Sequence, residues 1–491
     1  MRRKHFFVAA FLIVAAVASL SAVWPETLWS MVILGPLLAL GFYDALQPTH
    51  AILRNYPIIG HGRYLLESLR PEFHQYFVEP NTGGKPFSRE ERSAVYQRAK
   101  NVRDTVPFGT QRDVYATGYE YIAHSLVCGH PKQPPRLRIG GTACTRPYES
   151  SLLNISAMSY GSLSDAAVLA LNGGAKDGGF AHNTGEGGVS PHHLGPGGDL
   201  IWQVGTGYFG CRGPDGEFDP ERFTDTVAHD AIKMVEVKLS QGAKPGHGGI
   251  LPATKVTPEI AAIRGIPVGE TCVSPPSHTA FSTPTGLLEF IARLRDLSGG
   301  KPVGFKLCVG RPEEFLSICL AMRATGITPD YVAVDGGEGG TGAAPIEFSN
   351  HVGMPLTDGL VTIHNLLVGF GLRDDIRIIA SGKVTTGFKM ARLMALGAEV
   401  CYSARAMMFA LGCIQARRCN ANDCPTGVAT QDRNLISGLV ISDKRKRVCR
   451  FHAATLESLM ELVAAGGLCS PLELRPHHIH RRVEDYEVQT F

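Results

Sequence analysis

Between residues 331 and 431 one short pattern recurs three times: an apolar run of strand length ends in small residues and gives way to a helical stretch. YVAVDGG (331–337) opens into GEGGTGAAP, RIIASG (377–382) opens into KVTTG, and EVCYSAR (399–405) ends on a cation. Repeated strand, glycine-rich turn and helix predict parallel strands whose C-terminal loops expose backbone N–H groups. In a (β/α)8 barrel the last of these loops commonly hold a phosphate. Directly after the third unit come Cys413, Cys419 and Cys424-Pro425, spaced C-x5-C-x4-C. A phosphate cradle beside thiolates suggests a phosphorylated redox cofactor next to an electron relay.

Upstream the same alternation continues. LLNISAMS (152–159) is the first strand, and Ser164-Asp165 starts a helix over 166–176 that Gly178-Gly179 closes. Further strands are expected at 181–184, 201–205 and 234–240 and in PVGFKLCVG (302–310), with helices over 286–297, 312–325, 358–370 and 387–396. Eight strand–helix alternations predict an α/β chain with a (β/α)8 TIM barrel over 148–440, its chemistry at strand C-termini. A doubly wound open sheet is the alternative, but no GxGxxG opens a helix after the first strand. The Gly- and Pro-rich insertion between 241 and 285 is long enough to expect a function of its own. Residues 49–147 read as an irregular, proline-punctuated cap with one helix near 89–100, serving as a structural collar. The C-terminal extension, 441–491, carries Lys444-Arg445-Lys446-Arg447, read as a solvated basic turn.

The first 48 residues differ in kind. Arg2, Arg3 and Lys4 precede the uncharged run FFVAAFLIVAAVASLSAV (6–23), about the length that crosses a bilayer core. A cleaved signal peptide is the rival reading, with Ala16-Val17-Ala18 as its cleavage site. A second apolar run, 28–43, follows a short polar break and is flanked by Trp24 and Trp29. Two runs joined by a tight turn with interfacial Trp predict a membrane hairpin, and Arg54 and Arg63 beyond it put both flanks in the cytoplasm. Gly35-Pro36 in the second run leaves a re-entrant segment open. A net charge of +3 without basic–aromatic runs argues against nucleic acid, and 12 scattered cysteines in a chain of 491 residues fit reduced intracellular thiols.

Within the barrel, SAMSYGSLS (156–164) offers small residues against which a planar ring can lie, as would any tight strand-to-helix turn. Glu186 sits in NTGEGG, and Lys238, Gln241 and Lys244 sit in KLSQGAKPGHGG, with Arg264 farther along the insertion. Lys238 lies inside an apolar strand, where an unpaired ammonium is costly, so pairing with Glu186 is the structural explanation. The functional one is that Lys238 and Arg264 hold a carboxylated substrate beside a reduced cofactor. For the cysteine trio, buried free thiols and a zinc site compete with an iron–sulfur cluster. Zinc normally takes four protein ligands, and Cys449 and Cys469 are unmotivated as a fourth.

At SAMSYGSLS, NTGEGG, KLSQGAKPGHGG, SPPSHTAFSTPTG, DGGEGGTGAAP and above all GCIQARRCNANDCPTGVATQ, the chain resembles the FMN-binding synthase domain of glutamate synthase. The resemblance covers about residues 152–431, and the whole chain looks most like stand-alone, membrane-tethered members of that family. It implies FMN, a [3Fe-4S] cluster on Cys413, Cys419 and Cys424, and reductive addition of ammonia or an amine to 2-oxoglutarate. Ser159 and Gln203 are then expected on the flavin, with Lys238 facing its ring or the substrate. Glu186, Gln241, Lys244 and Arg264 are expected around the keto acid and imine, and Gly339, Gly340, Gly382, Lys383 and Arg405 near the FMN phosphate. The chain carries no amidotransferase domain and no C-terminal β-helix, so a separate subunit or free ammonia would supply nitrogen. An electron donor such as ferredoxin, an NAD(P)H-oxidising partner or a membrane donor is implied. Two positions depart from the large synthases: Tyr208 stands where they tend to have a basic residue, and Thr-Ala-Phe follows His278 in place of an acidic residue. Other readings are a different FMN-barrel oxidase or dehydrogenase using a histidine base, and a tethered electron-transfer subunit. His182, His192, His193, His247 and His278 are the available bases, most of them expected to be solvated or capping residues.

Overall fold

The computed structural model describes residues 2–102 and 105–491; Met1, Arg103 and Asp104 lie outside the described residues. The chain forms two compact units, Met1–Pro80 and Asn81–Phe491, so the first unit extends beyond the expected boundary at residue 48.

In the first unit, α1 (Arg3–Ser21) and α2 (Met31–Leu46) are joined by a 3-10 turn, Pro25–Ser30. Both α1 and the combined stretch Pro25–Leu46 are long and apolar enough to cross a membrane. Pro36 lies inside α2 without interrupting it. A short helix, Ala51–Asn55, precedes α3 (Gly60–Phe73), which runs into one π turn, His74–Val78. The expected irregular cap is therefore helical over this part. Its apolar residues form a short stripe that stays exposed.

The second unit opens with α4 (Arg89–Lys100), fixed by a capping box between Ser88 and Glu91. The barrel strands are β1 (Leu153–Ile155), β2 (His182–Asn183), β3 (Leu200–Val204), β4 (Ile232–Lys238), β5 (Val303–Leu307), β6 (Tyr331–Asp335), β7 (Arg377–Ser381) and β8 (Val400–Ser403). They close in sequence order into an eight-stranded parallel barrel. Nearly every strand residue is buried because helices cover the outside and side chains fill the inside, as an all-parallel sheet requires. The surrounding helices include α5 (Asp165–Gly178), α6 (Pro220–Val227), α7 (Pro258–Arg264), α8 (Pro284–Leu297), α9 (Pro312–Thr325), α10 (Leu356–Gly369), α11 (Gly387–Ala395) and α12 (Arg405–Leu411). Local chemistry sets their starts: Ser164, Asp219, Thr283 and Thr386 each accept a backbone N–H of the first turn. The long insertion after β4 holds α7 and a small hairpin, Ile250–Leu251 with Cys272–Val273.

The C-terminal extension differs from expectation. Lys444–Arg447 lie in the first turns of α13 (Ile441–Ala465), a helix of 25 residues. Val448, Phe451, His452, Thr455, Leu456, Leu459 and Val463 form its buried stripe at helical spacing. Arg445 pairs with Asp177 of α5, and Arg447 with Asp443 one turn back. Lys446 is exposed, but Lys444, Arg445 and Arg447 are partly buried, and the cluster belongs to a packed helix whose buried stripe begins only after it.

Candidate active site

The barrel mouth encloses about 1240 Å³ of open space, solvent at the entrance included. Its lining comes from strand ends: Ser159 after β1, Glu186 after β2, Gln203 in β3, Lys238, Gln241 and Lys244 from β4 onward, then Gly339, Gly340, Gly382, Lys383 and Arg405. The structure brings all of these into one cavity.

On one side Lys238 Nζ lies 2.7 Å from Glu186 Oε2, both largely shielded from water. Burial pushes the Glu186 carboxyl up, but Lys238, with Arg264 and Lys244 behind it, more than offsets this and holds it below the usual carboxylate value. Lys244 donates to Ala343 O at 2.6 Å. Burial brings its ammonium down to about 8 although Glu186 works the other way. The amide nitrogen of Gln241 is buried and finds no partner among the described residues, so it is a donor presented to the cavity. Gln203 donates to Glu236 Oε1 at 2.7 Å, and Asn183 donates to the same oxygen at 2.8 Å. Arg264 stands apart from the lining. It packs against Gly161 and Gly187 outside the lining, donating to Tyr160 O and lying over the Phe209 ring, and it acts on Glu186 through charge.

On the other side the backbone comes close. A Cβ on Gly340 would meet Arg405 at 2.8 Å, and one on Gly242 would sit 1.7 Å from Gly336 O, so the loops after β4 and β6 touch only through glycine. Lys383 and Arg405 flank the Phe87 ring at 5.9 and 4.6 Å. Burial lowers both cations, and Arg405 lowers Lys383 further. Neither has a carboxylate ion pair among the described residues; Arg405 donates instead to Glu338 O at 2.8 Å. Two half-buried like charges over bare backbone form a cradle for an anion such as a phosphate.

The cysteine loop borders this cavity. Cys413, Cys419 and Cys424 are free thiols on the wall of a second, wider groove, and Cys419 also reaches the first cavity. Burial pushes Cys413 up to about 12, with Cys419 and Cys424 adding to it. Gln415, Arg417 and Asn422 all have φ near +60°, a non-glycine backbone strain concentrated in this loop. Among the described residues no set of three or more His, Cys, Asp or Glu lies close enough to hold a single metal ion. Lys255 is buried beside Cys419 and Cys424, donating only to Ser162 O and Ala429 O, and has no carboxylate partner among the described residues. An ammonium so placed calls for an anionic group at the thiols.

Several participants were missed. Lys306 of β5 neighbours Lys238 in the barrel register and pairs with Asp335 of β6 at 3.3 Å; both line the cavity. The signal was present, since Lys306 interrupts VGFKL as Lys238 interrupts MVEVK. The collar also contributes: Gln415 clasps the Phe87 backbone from both sides and Tyr96 donates to Cys413 O at 2.7 Å. None of the five histidines lines the cavity. His193 is a capping residue as expected, its Nδ1 accepting the Ser190 N–H, whereas His182 and His278 are buried in neither role, and burial lowers His193 and His278 to about 4.

The conserved region in glutamate synthase matches residues 137–469. The glutamate synthase large subunit-like protein YerD of Bacillus subtilis is 40% identical over 90% of this chain and 92% of its own length. The archaeal glutamate synthase [NADPH] of Methanocaldococcus jannaschii is 36% identical over 65% of this chain and 60% of its own. The glutamate synthase [NADPH] large chain of Bacillus subtilis is 34% identical, and the match spans 18% of its length.

Proposed function

The chain belongs to the glutamate synthase family, a family of oxidoreductases, and on that premise we propose that it uses FMN and a [3Fe-4S] cluster to reduce the imine of 2-oxoglutarate. The product is glutamate with ammonia, or an N-substituted glutamate with an amine. What carries this reading is that Lys244, without a carboxylate ion pair among the described residues, and the unpartnered Gln241 amide open onto the same cavity as the Lys383–Arg405 anion cradle. A bare electron-transfer protein needs no carboxylate-binding set of this kind.

The residues fit both groups. Lys383, Arg405 and the backbone at Gly339, Gly340 and Gly382 would hold the flavin phosphate, with Ser159 and Gln203 along its ring. Cys413, Cys419 and Cys424 on one wall suit a multi-iron cluster better than one ion, and Lys255 balances its charge. When bound, the flavin supplies hydride and the cluster supplies single electrons.

The rest falls to side chains. Lys244 and Gln241 bind and orient the dicarboxylate, and Arg264 reinforces that positive field from outside the lining. Condensation of the keto carbonyl with the amine releases water, and reduction of the C=N bond takes two electrons and two protons. Glu186, kept ionised by Lys238, accepts the proton that the amine nitrogen sheds. Lys238 donates a hydrogen bond toward the reacting centre and keeps the carboxylate aimed. The two apolar helices tether the catalytic unit to a membrane with that unit in the cytoplasm. Electrons arrive from a donor protein or reductase subunit, and nitrogen from solution or an amidotransferase subunit.

The test is anaerobic, on detergent-purified protein reduced chemically. Oxidised flavin absorbance is expected to return only when 2-oxoglutarate and ammonium or methylamine are both present. Reoxidation by quinone or a redox protein alone, with the keto acid and amines inert, overturns the synthase reading in favour of electron transfer.

A further inference from the structure

Beyond the two apolar helices, α3 has a feature that the synthase reaction does not use. Leu65, Leu66, Leu69 and Phe73 fall within roughly 100° of the helix circumference at 3.6 residues per turn. They are exposed by 60, 70, 52 and 61%. Tyr76 and Phe77 in the following π turn are exposed as well, with Phe77 packed on Phe73 at 5.1 Å. The opposite side carries Arg63, Glu67 and Ser68, with Arg63 and Glu67 paired at 2.7 Å, and Glu72 borders the apolar face. Six large apolar side chains on one face in water mark an interaction surface.

The start of α3 fixes which surface. Asp44, fully buried near the end of α2, receives the Ile58 N–H at 2.9 Å and His61 Nε2 at 2.9 Å. A Cβ on Gly60 would meet Leu53 at 2.9 Å, so the intervening chain is packed close. The first turn of α3 is thus held at the level where the second apolar helix ends, which for a spanning helix is the headgroup boundary. We propose that α3 and its π turn lie in the membrane interface, with the Leu65–Leu66–Leu69–Phe73 face inserted among acyl chains. The charges of α3 cancel, Arg63 and Arg70 against Glu67 and Glu72, so apolar area drives insertion and anionic headgroups are not required. This rests on the reading of the first two helices as a membrane hairpin.

The full chain is placed in phosphatidylcholine nanodiscs with plain or brominated acyl chains, and tryptophan emission is compared. In the unaltered protein Trp24 and Trp29 report whether the hairpin inserts. Phe73→Trp is expected to add emission that brominated lipid cuts roughly twofold, whereas Glu67→Trp on the opposite face adds emission that it spares. Equal responses from the two variants, or Phe73→Trp emission quenched by aqueous iodide instead, overturn the interfacial helix even if Trp24 and Trp29 are quenched. Unquenched Trp24 and Trp29 with a quenched Phe73→Trp would reject the hairpin and the level it assigns to α3, leaving only the contact of its apolar face with lipid. No lipid quenching anywhere rejects both.

Discussion

Lys244 shows how one side chain ties burial to pH dependence. Its ammonium titrates near 8 because it is buried, and the hydrogen bond to Ala343 O keeps it turned into the site. On the proposed function a dianionic keto acid binds the charged form, so affinity should be full below pH 8 and fall as the proton leaves above it. The KM for 2-oxoglutarate should therefore rise up to about tenfold per pH unit above 8. Lys244→Met should raise KM at neutral pH and flatten that profile; an unchanged slope in the variant assigns the titration to another group. Residue-scale legibility was uneven. Lys238 was found because a lysine in an apolar strand demands a partner, and Lys306 obeys the same rule one strand over. Tyr208 and the residues after His278 read as two separate departures from the large synthases, yet in space they are one. Tyr208 Oη accepts the N–H groups of Thr279 and Ala280 and contacts His278, which bonds Lys238 O. The Tyr208 phenol, by capping the backbone after His278, joins the two positions, and no linear pattern reveals that contact.

At the scale of elements, the barrel was readable because most strands are short apolar runs that give way to small residues, and several of the following helices start on a Ser, Thr or Asp cap. What escaped was α13, whose buried stripe starts after four consecutive basic residues. Its seat on α5 is made by glycine: a Cβ on Gly174 would lie 2.7 Å from Val448 and 2.8 Å from Arg445 O. Helix propensity alone favours alanine over glycine by about 1 kcal/mol, whereas overpacking a fixed contact costs about 1–3 kcal/mol. Backbone atoms cannot rotate away, so the contact decides. Gly174→Ala should lower stability by up to about 2 kcal/mol in denaturant melts. Gly369→Ala at the end of α10, where nothing lies within 4 Å, should gain a few tenths to about 1 kcal/mol. Stabilisation by Gly174→Ala would mean that α13 moves aside freely. The cysteine loop was likewise legible as a ligand set but not as a neighbour of the collar, because the bond from Tyr96 to Cys413 O spans 317 residues.

For the whole molecule, the division at Pro80 separates two different ways of being stable. The first unit buries little: its core is Phe6, Ala10, Leu38 and Ala45, with Ile13, Met31 and Ile58 against it. Most of its large apolar side chains, from Phe11 and Leu12 through Trp29 and Ile33, face outward. So small a core offsets little of the conformational entropy of 80 residues in water, which accords with the proposed cover of lipid. The second unit has one continuous core running from Phe87 and α4 through all eight strands to α13. Its cavity residues, including Phe87, all lie after residue 80. A chain starting at Asn81 should therefore be soluble without detergent, keep the flavin content of the full protein, and melt within a few degrees of it. Size-exclusion chromatography, flavin absorbance and near-UV circular dichroism check these together. Aggregation with loss of the near-UV signal would show that the first unit supports the barrel fold. A folded chain without flavin would instead place part of the cofactor's hold in the first 80 residues.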